Sequence, residues 1–398
     1  MTLETKESRR EIPLSETTKF IVDNRGKTAP TSAEGIPLIA TNCVNNQSLY
    51  PEHINVRYVS QETYDTWFRS HPEPGDILLT LKGSQNGAAC LVPDPVNFAI
   101  AQDMVALRAN EVIIDPSFLL AALRSPDVQA QIKNLDVSGV IPHLKKSDFD
   151  KLLIPYPDLP EQKPIGLYYV SLSKKIDLLH RQNKTLEAMA ETLFRQWFVE
   201  EAQDDWEDVR IDQLVELNAR SIDRSYQHSD ILYLDTGSLN QGIVSELQEF
   251  AISESPSRAK RLVKHNDVLI STVRPNQKHY GIIKEPQENL VVSTGFCVLS
   301  CVDIDPHFIY LLLTSNEMTE YLHSVAEGST STYPSLKPSD IGSLTFKKPP
   351  LNKLEEFADI SQSAWNKIFT NHNQIRTLEK LRDTLLPKLM SGEVRVAL

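Results

Sequence analysis

At 398 residues, with 40% hydrophobic and 24% charged side chains, the chain has room for two or three domains, each with its own core, and an ordinary globular composition. No run of 18 or more apolar residues occurs, and Met1-Thr2-Leu3-Glu4-Thr5-Lys6 lacks the basic-then-apolar layout of a signal peptide, so no membrane span and a cytoplasmic location are expected. The net charge of −12, from 41 Lys and Arg against 53 Asp and Glu, argues at first sight against nucleic acid, because phosphate contacts need cations.

In chain order, residues 11–158 read as a mixed segment. Strand-like runs at Asp76–Leu81 and Met104–Leu107 lie between Pro, Gly and Asn turns, with a short helix near Phe118–Arg124. The first run leads into a donor-rich turn, Lys82-Gly83-Ser84-Gln85-Asn86-Gly87. A second polar stretch, Ser138-Gly139-Val140-Ile141-Pro142-His143-Leu144-Lys145, closes the segment. Asn45, Asn46 and Gln47 form a further polar cluster.

After Pro160, apolar or small residues alternate in steps of four and three: Ile165, Tyr169, Leu172, Ile176, Leu179, Asn183, Leu186, Ala190, Leu193 and Trp197. Such spacing specifies a coiled-coil seam, and a polar residue on it, here Asn183, fixes register at a cost in stability. An acidic joint follows, with eight carboxylates and one cation, Arg210, from Glu200 to Glu216. A second mixed segment, about 206–350, has runs at Asp267–Val273, Phe296–Leu299 and Phe308–Thr314. Its turn is Arg274-Pro275-Asn276-Gln277-Lys278-His279-Tyr280-Gly281. From Arg258 to Lys284 seven cations stand against one acid, so the acidic total hides a basic face. The chain ends in a second seam, Phe357, Ser361, Ala364, Ile368, Asn371, Ile375, Leu378, Arg382, Leu385 and Leu389. Pro387 is expected to kink or stop it, Gly392 to cap it, and Glu393–Val396 to add a short strand.

The two halves are one pattern written twice. Ile141-Pro142-His143-Leu144-Lys145-Lys146-Ser147-Asp148 returns as Tyr333-Pro334-Ser335-Leu336-Lys337-Pro338-Ser339-Asp340, 192 positions on, and Thr185-Leu186-Glu187 as Thr377-Leu378-Glu379. A period this long is a tandem duplication of a domain plus a connector, which implies a pseudo-dimer with approximate two-fold symmetry. The expected fold is α+β: two pseudo-symmetric mixed domains (1–158 and 203–350), separated by two long antiparallel coiled-coil helices (159–202, and 351–398 with the C-terminal strand). A helix of roughly 40 residues at about 1.5 Å each would be a rod near 60 Å. Leu172, Ile176, Leu179, Asn183 and Leu186 on the first, and Ile368, Asn371, Ile375, Leu378 and Leu385 on the second, would hold the pair together.

On these residues the chain resembles the specificity subunit of type I restriction–modification enzymes. The resemblance runs through Ile141–Phe149, Ile154–Gln162, Leu178–Phe198 and Leu378–Glu393, in order along the whole chain. It implies two target-recognition domains, each reading one half of an asymmetric bipartite sequence in double-stranded DNA. It also implies no catalysis in this chain, two modification (methyltransferase) subunits as partners, and restriction/translocase subunits beside them. S-adenosylmethionine and ATP would then be bound by those partners, with no cofactor or metal here. The one departure is Pro349-Pro350-Leu351-Asn352, where the first helix opens with Pro160-Glu161-Gln162.

Base readout uses Arg or Lys for guanine and Asn or Gln for adenine. The candidate DNA-binding residues are therefore Lys82, Ser84, Gln85 and Asn86 with His143 and Lys145 in the first half, and Arg274, Asn276, Gln277, Lys278 and His279 with Tyr333 and Lys337 in the second. Lys82 is matched to Arg274 by the offset of 192. Polar hairpin tips have the same composition, and a coiled-coil scaffold that joins proteins without touching DNA is the alternative left open by the acidic total. An enzyme is disfavoured: no nucleotide-binding, phosphate-loop, zinc-protease or serine-hydrolase motif is present, and 14 glycines do not supply a methyltransferase's cofactor turn. Cys43, Cys90, Cys297 and Cys301 read as buried thiols rather than a zinc site.

Overall fold

The computed structural model describes residues 9–23, 26–136, 140–328 and 334–396. The chain divides into two units, residues 1–181 with 372–398, and residues 182–371.

In the first unit the apolar run Ile77–Thr80 is buried on both faces because it lies inside a four-stranded antiparallel sheet. The order is Thr18–Asp23, Met104–Ala109, Ile77–Thr80, Ala89–Leu91. A smaller sheet places Ile36–Ile39 between Arg57–Val59, antiparallel, and Ala99–Ile100, parallel. Glu11–Pro13 pairs with Leu153–Pro155 and brings the two ends of the domain together. The helix Pro116–Leu123 starts where Asp115 accepts a hydrogen bond from the Phe118 amide at 3.0 Å, with proline at its first position.

The second unit repeats this plan. Its main sheet runs Val215–Leu217, Phe296–Cys301, Val268–Ser271, Tyr280–Ile282, and Glu207–Arg210 pairs with Thr345–Lys348 as the domain's closing ribbon. Asp305 caps Pro306–Thr314 through the His307 and Phe308 amides at 2.9 and 3.2 Å. The second sheet has four strands, Gln248–Ala251, Asp230–Leu234, Leu290–Ser293 and Ala259–Leu262, and again contains one parallel pair. Asp76 and Asp267, each just before the matching central strand, are scaffold. Asp76 holds Arg108 by two 3.0 Å bonds, and Asp267, fully buried, holds Arg220 at 2.7 Å and Ser300 at 2.7 Å.

The connectors are single helices, Leu159–Arg195 of 37 residues, continued by a π-helical turn to Glu200, and Leu351–Ser391 of 41 residues. Within the first unit Ile176 and Leu179 cluster with Ile375, and the Arg382 guanidinium lies 5.8 Å above the Tyr169 ring, so the two helices run antiparallel. The second unit shows the same sense: Asn371 donates to Asn183 at 2.7 Å, and Phe194 meets Phe357 at 6.0 Å. Each domain docks on this pair through its capped helix. Phe308 packs among Phe194, Phe198 and Phe357, and in the first unit Phe118 shares a core with Leu386, Met390 and Ile165, which occupy the corresponding places.

Two expectations at the C-terminus are corrected. The helix passes through Pro387 to Ser391, because only one i−4 hydrogen bond is forfeited while Leu386, Leu389 and Met390 remain anchored in the first unit's core. Glu393–Val396 forms no strand. Gly392, at φ +75°, turns the chain as a left-handed cap, and Val396 alone packs against that core.

Candidate nucleic-acid interface

The two stretches singled out in each half meet in the folded chain, and they meet in the same way twice. Gly83 donates to the Pro142 carbonyl at 2.9 Å and Leu144 to the Leu81 carbonyl at 2.9 Å. In the second unit Arg274 donates to Pro334 at 3.1 Å and Leu336 to Thr272 at 2.7 Å. The repeated Pro and Leu are thus the clamp that holds the turn against the closing segment, with Leu144 and Leu336 buried beneath it.

This pairing corrects the alignment made from sequence. Lys82 bridges His143 while Val273 bridges Ser335, so Lys82 corresponds to Val273, and Arg274 corresponds to Gly83. The offset is 191 at the turn and 192 at the closing segment because a one-residue loop difference lies between them, which a fixed offset misses. Both turns place their first and fifth residues in the left-handed region. The first unit uses Gly83 (φ +92°) and Gly87 (φ +82°), the second Arg274 (φ +48°) and Lys278 (φ +59°). Non-glycine residues pay roughly 1–2 kcal/mol each for that conformation.

The candidate side chains divide by what they touch. Asn86 is scaffold, its Oδ1 accepting from the Leu144 amide at 3.0 Å; the Gln85 carbonyl takes the Thr80 hydroxyl. Lys278 is half-buried and donates to Asn316 at 2.9 Å, while His279 Nδ1 lies 2.6 Å from the Leu239 carbonyl. These bonds buttress the turn. Ser84, Lys145, Arg274, Asn276, Gln277 and Lys337 are exposed, and Lys82, Gln85 and His143 are half-exposed. Tyr333 lies outside the described residues, as do Ser138, Gly139 and Ser329 to Thr332. Asn46 is also spent internally, accepting from the Ala89 amide at 3.0 Å.

A hairpin present only in the second unit among the described residues, Leu239–Asn240 with Ile243–Val244, stands beside its turn. The Gln241 amide donates to the Lys278 carbonyl at 3.1 Å, which brings the exposed Asn240 and Gln241 next to the Arg274 turn. Sequence reasoning passed over these two residues. The signal was there: Asn-Gln-Gly between Leu and Ile-Val is a turn between apolar residues.

Of the seven cations of the basic stretch, Arg258, Lys260, Lys264 and Arg274 are exposed. Lys284 instead donates to Asn266 at 2.6 Å and lies 3.0 Å from His307 Nε2; burial lowers the pKa of both groups. Burial also pushes the Cys90, Cys297 and Cys301 thiols up to about 12, so they are unreactive at neutral pH. Among the described residues no cluster of three or more His, Cys, Asp or Glu could hold a metal, and no helix is long and apolar enough to cross a membrane.

Two units that carry one donor-bearing turn each, on matching scaffolds, define a duplicated protein with one candidate site in each unit. The family profile described as the type I restriction modification DNA specificity domain matches residues 20–188 and again 203–381. The chain belongs to this family of type I specificity subunits. It is similar to the type I restriction enzyme MjaIX specificity subunit of Methanocaldococcus jannaschii, 28% identical over 307 residues covering 70% of this chain and 69% of that one. The MjaVIII specificity subunit of the same organism is 23% identical over 81% of this chain and 79% of its own. In fold it is similar to the S subunit of the type I restriction–modification system from M. genitalium, with a TM-score of 0.60, 16% identity and 98% of each chain covered.

Proposed function

We propose that the chain reads a bipartite, asymmetric DNA target, one half per unit, and has no catalytic activity of its own. It recruits two modification subunits, and beside them restriction subunits, in the cytoplasm. The methyl donor S-adenosylmethionine and the ATP that drives translocation are bound by those partners.

The observation that carries this reading is the repeated convergence of a polar turn and a Pro-x-Leu-Lys segment, held by equivalent backbone bonds in both units. The scaffold is common to both, whereas the exposed or half-exposed residues on it differ: Lys82, Ser84 and Gln85 in one unit, Arg274, Asn276 and Gln277 in the other. Different donors on equal scaffolds give two unlike half-sites. The exposed Lys145 and Lys337, at equivalent positions, suit phosphate contacts that fix orientation without reading sequence.

The test is retention of the chain, together with its modification subunit, on duplex DNA. Binding is expected to be tight at low salt and to fall steeply as salt rises, and mapped adenine methylation is expected to return a two-part motif with a fixed gap. Salt-insensitive association, or methylation without a split motif, would favour the protein scaffold instead.

A further inference from the structure

The hairpin beside the second unit's turn grows from a place that the first unit also has, and the two units use the amides there differently. In each unit the strand of the parallel pair, Ile36–Ile39 or Asp230–Leu234, leads into a 3₁₀ turn, Thr41–Cys43 or Thr236–Ser238. The residue that follows, Val44 or Leu239, is buried and donates its amide back to the opening threonine. Asn45-Asn46 therefore stands where Asn240-Gln241 stands. In the first unit both side chains are spent on the fold: Asn45 Oδ1 accepts from the Gln47 and Ser48 amides at 2.9 and 2.7 Å, and Asn46 Oδ1 from the Ala89 amide at 3.0 Å. Asn240 and Gln241 are exposed, and the one hydrogen bond of their side chains among the described residues runs between them, Gln241 Nε2 donating to Asn240 Oδ1 at 3.4 Å.

The hairpin is fixed to its unit by backbone. Gln241-Gly242 is a two-residue loop with both residues at positive φ, +44° and +79°, the mirror-image turn that closes a tight ribbon. The Gln241 amide donates to the Lys278 carbonyl at 3.1 Å, the Gly242 amide to Tyr280 at 2.8 Å, and the Ser245 amide to Ser238 at 2.9 Å. Gly281 makes the close approach possible: a Cβ there would lie 3.1 Å from Leu239 Cδ1 and 3.3 Å from Gly242 Cα. Leu239 pairs with Val244 and Asn240 with Ile243, so the two pairs take opposite faces of the ribbon. Leu239 packs into the unit's core on one face. Asn240 and Ile243 share the other, and Ile243 is 56% exposed.

We infer that this ribbon enters the major groove of the second unit's half-site and that Asn240 reads an adenine there, its amide donating to N7 and accepting from the N6 amino group, with Ile243 against a thymine methyl beside it. This rests on the function proposed above and deepens it. The major groove admits a two-stranded ribbon, and an Asn amide is the bidentate match of the adenine edge. An apolar side chain on the same face suits the methyl group that thymine presents in that groove. Residues 239–245 carry no charge, so the tip has nothing with which to neutralise a phosphate; exposed cations for that purpose lie elsewhere on the unit, at Arg258, Lys260 and Lys264. The bond from Gln241 leaves Asn240 both of its donor hydrogens and a lone pair on Oδ1, and it steadies the orientation of the amide.

The test replaces Asn240 in the full chain, together with its modification subunit, and maps adenine methylation on a random-sequence DNA library. Asn240→Ala keeps the backbone bonds of the hairpin, so the variant is expected to melt with the parent. One half of the motif becomes degenerate at a single A·T pair, with discrimination there down about 10- to 100-fold, while the other half is unchanged. Binding keeps its salt slope, because no phosphate contact is lost. At that same pair 7-deazaadenine, which lacks the N7 acceptor, weakens binding by the parent and not by the variant. If Asn240→Ala fails to fold, the parent decides with 7-deazaadenine placed at each adenine of the target in turn, and no sensitive adenine in either half overturns the proposal. Undiminished discrimination in a folded variant also overturns it, as does degeneracy at a G·C pair or binding weakened equally on all sequences. A parent complex that methylates without any two-part motif overturns the reading beneath it instead.

Discussion

Gly83 and Gly87 occupy the same turn, yet they are glycines for different reasons. Both sit in the left-handed region, but a Cβ at Gly83 meets nothing within 4 Å, whereas at Gly87 it would fall 2.8 Å from Cγ2 of Ile132, a core residue unable to step aside. Gly83→Ala is therefore expected to cost only the conformational term, about 1 kcal/mol, and Gly87→Ala clearly more, because overpacking is added to it. Urea unfolding of the two variants checks the order. A second residue-scale prediction concerns Glu187, whose carboxyl is pushed up to about 7, chiefly by burial and then by Glu191. In the unfolded chain it ionises near its ordinary value of 4.5, so the folded state is penalised progressively as pH rises from about 4.5 to 7, and stability is lost over that window. Glu187→Gln removes the penalty. Its melting temperature should equal the parent's near pH 4.5 and exceed it by a few degrees at pH 8, and equal gaps at both pH values would contradict the assignment.

At the scale of elements, the long helices were legible in the sequence because a four–three alternation sustained over many turns has no other low-energy reading. Ile176, Leu179, Asn183, Ile368, Asn371 and Ile375 are all buried on the seam, with Leu172, Leu186, Leu378 and Leu385 partly buried beside them. Short elements were less legible. The strands Ile36–Ile39 and Arg57–Val59 are three or four residues long and gain their stability from neighbours distant in sequence, which no local pattern records. The candidate site was half legible. Residue type marked the turns, but composition does not distinguish Asn276 and Gln277, exposed at the tip, from Asn86, whose side-chain oxygen is taken by the Leu144 amide. The seam's polar pair gives the element-scale prediction. Asn371 donates to both Asn183 and Gln182, at 2.7 and 2.9 Å. Asn371→Leu strands the Asn183 carbonyl in an apolar seam and is expected to cost about 1–3 kcal/mol. The double replacement with Asn183→Leu removes both polar groups and should recover that loss, so a double-mutant cycle by thermal unfolding should be strongly non-additive. Additive losses would mean the pair is solvated.

For the whole molecule, the proposed function assigns each half-site to a unit and the gap between half-sites to the helices that run without a break from one unit into the other. Removing Asn183–Met189 from the first helix alone would leave its antiparallel partner seven residues too long and put Phe194 out of reach of Phe357. A matched deletion avoids this. Leu172–Leu178 faces Arg376–Arg382, so removing both stretches takes one heptad from each helix while keeping the Leu179–Ile375 and Asn183–Asn371 meetings and both docking clusters, Phe118 with Leu386 and Phe308 with Phe194. The sacrifices are the Arg382–Tyr169 stack, 5.8 Å, the packing of Ile176 and Leu378 in the seam, and the Arg181–Asp177 ion pair, all local to the removed heptad. Each helix shortens by about 10 Å, on the order of three base pairs of duplex. Methylation mapping with the modification subunit should then return the parental half-sites with a gap shorter by about that amount. Altered half-sites with the parental gap would mean that the helices take part in reading, and the division of labour between turn and helix would have to be abandoned.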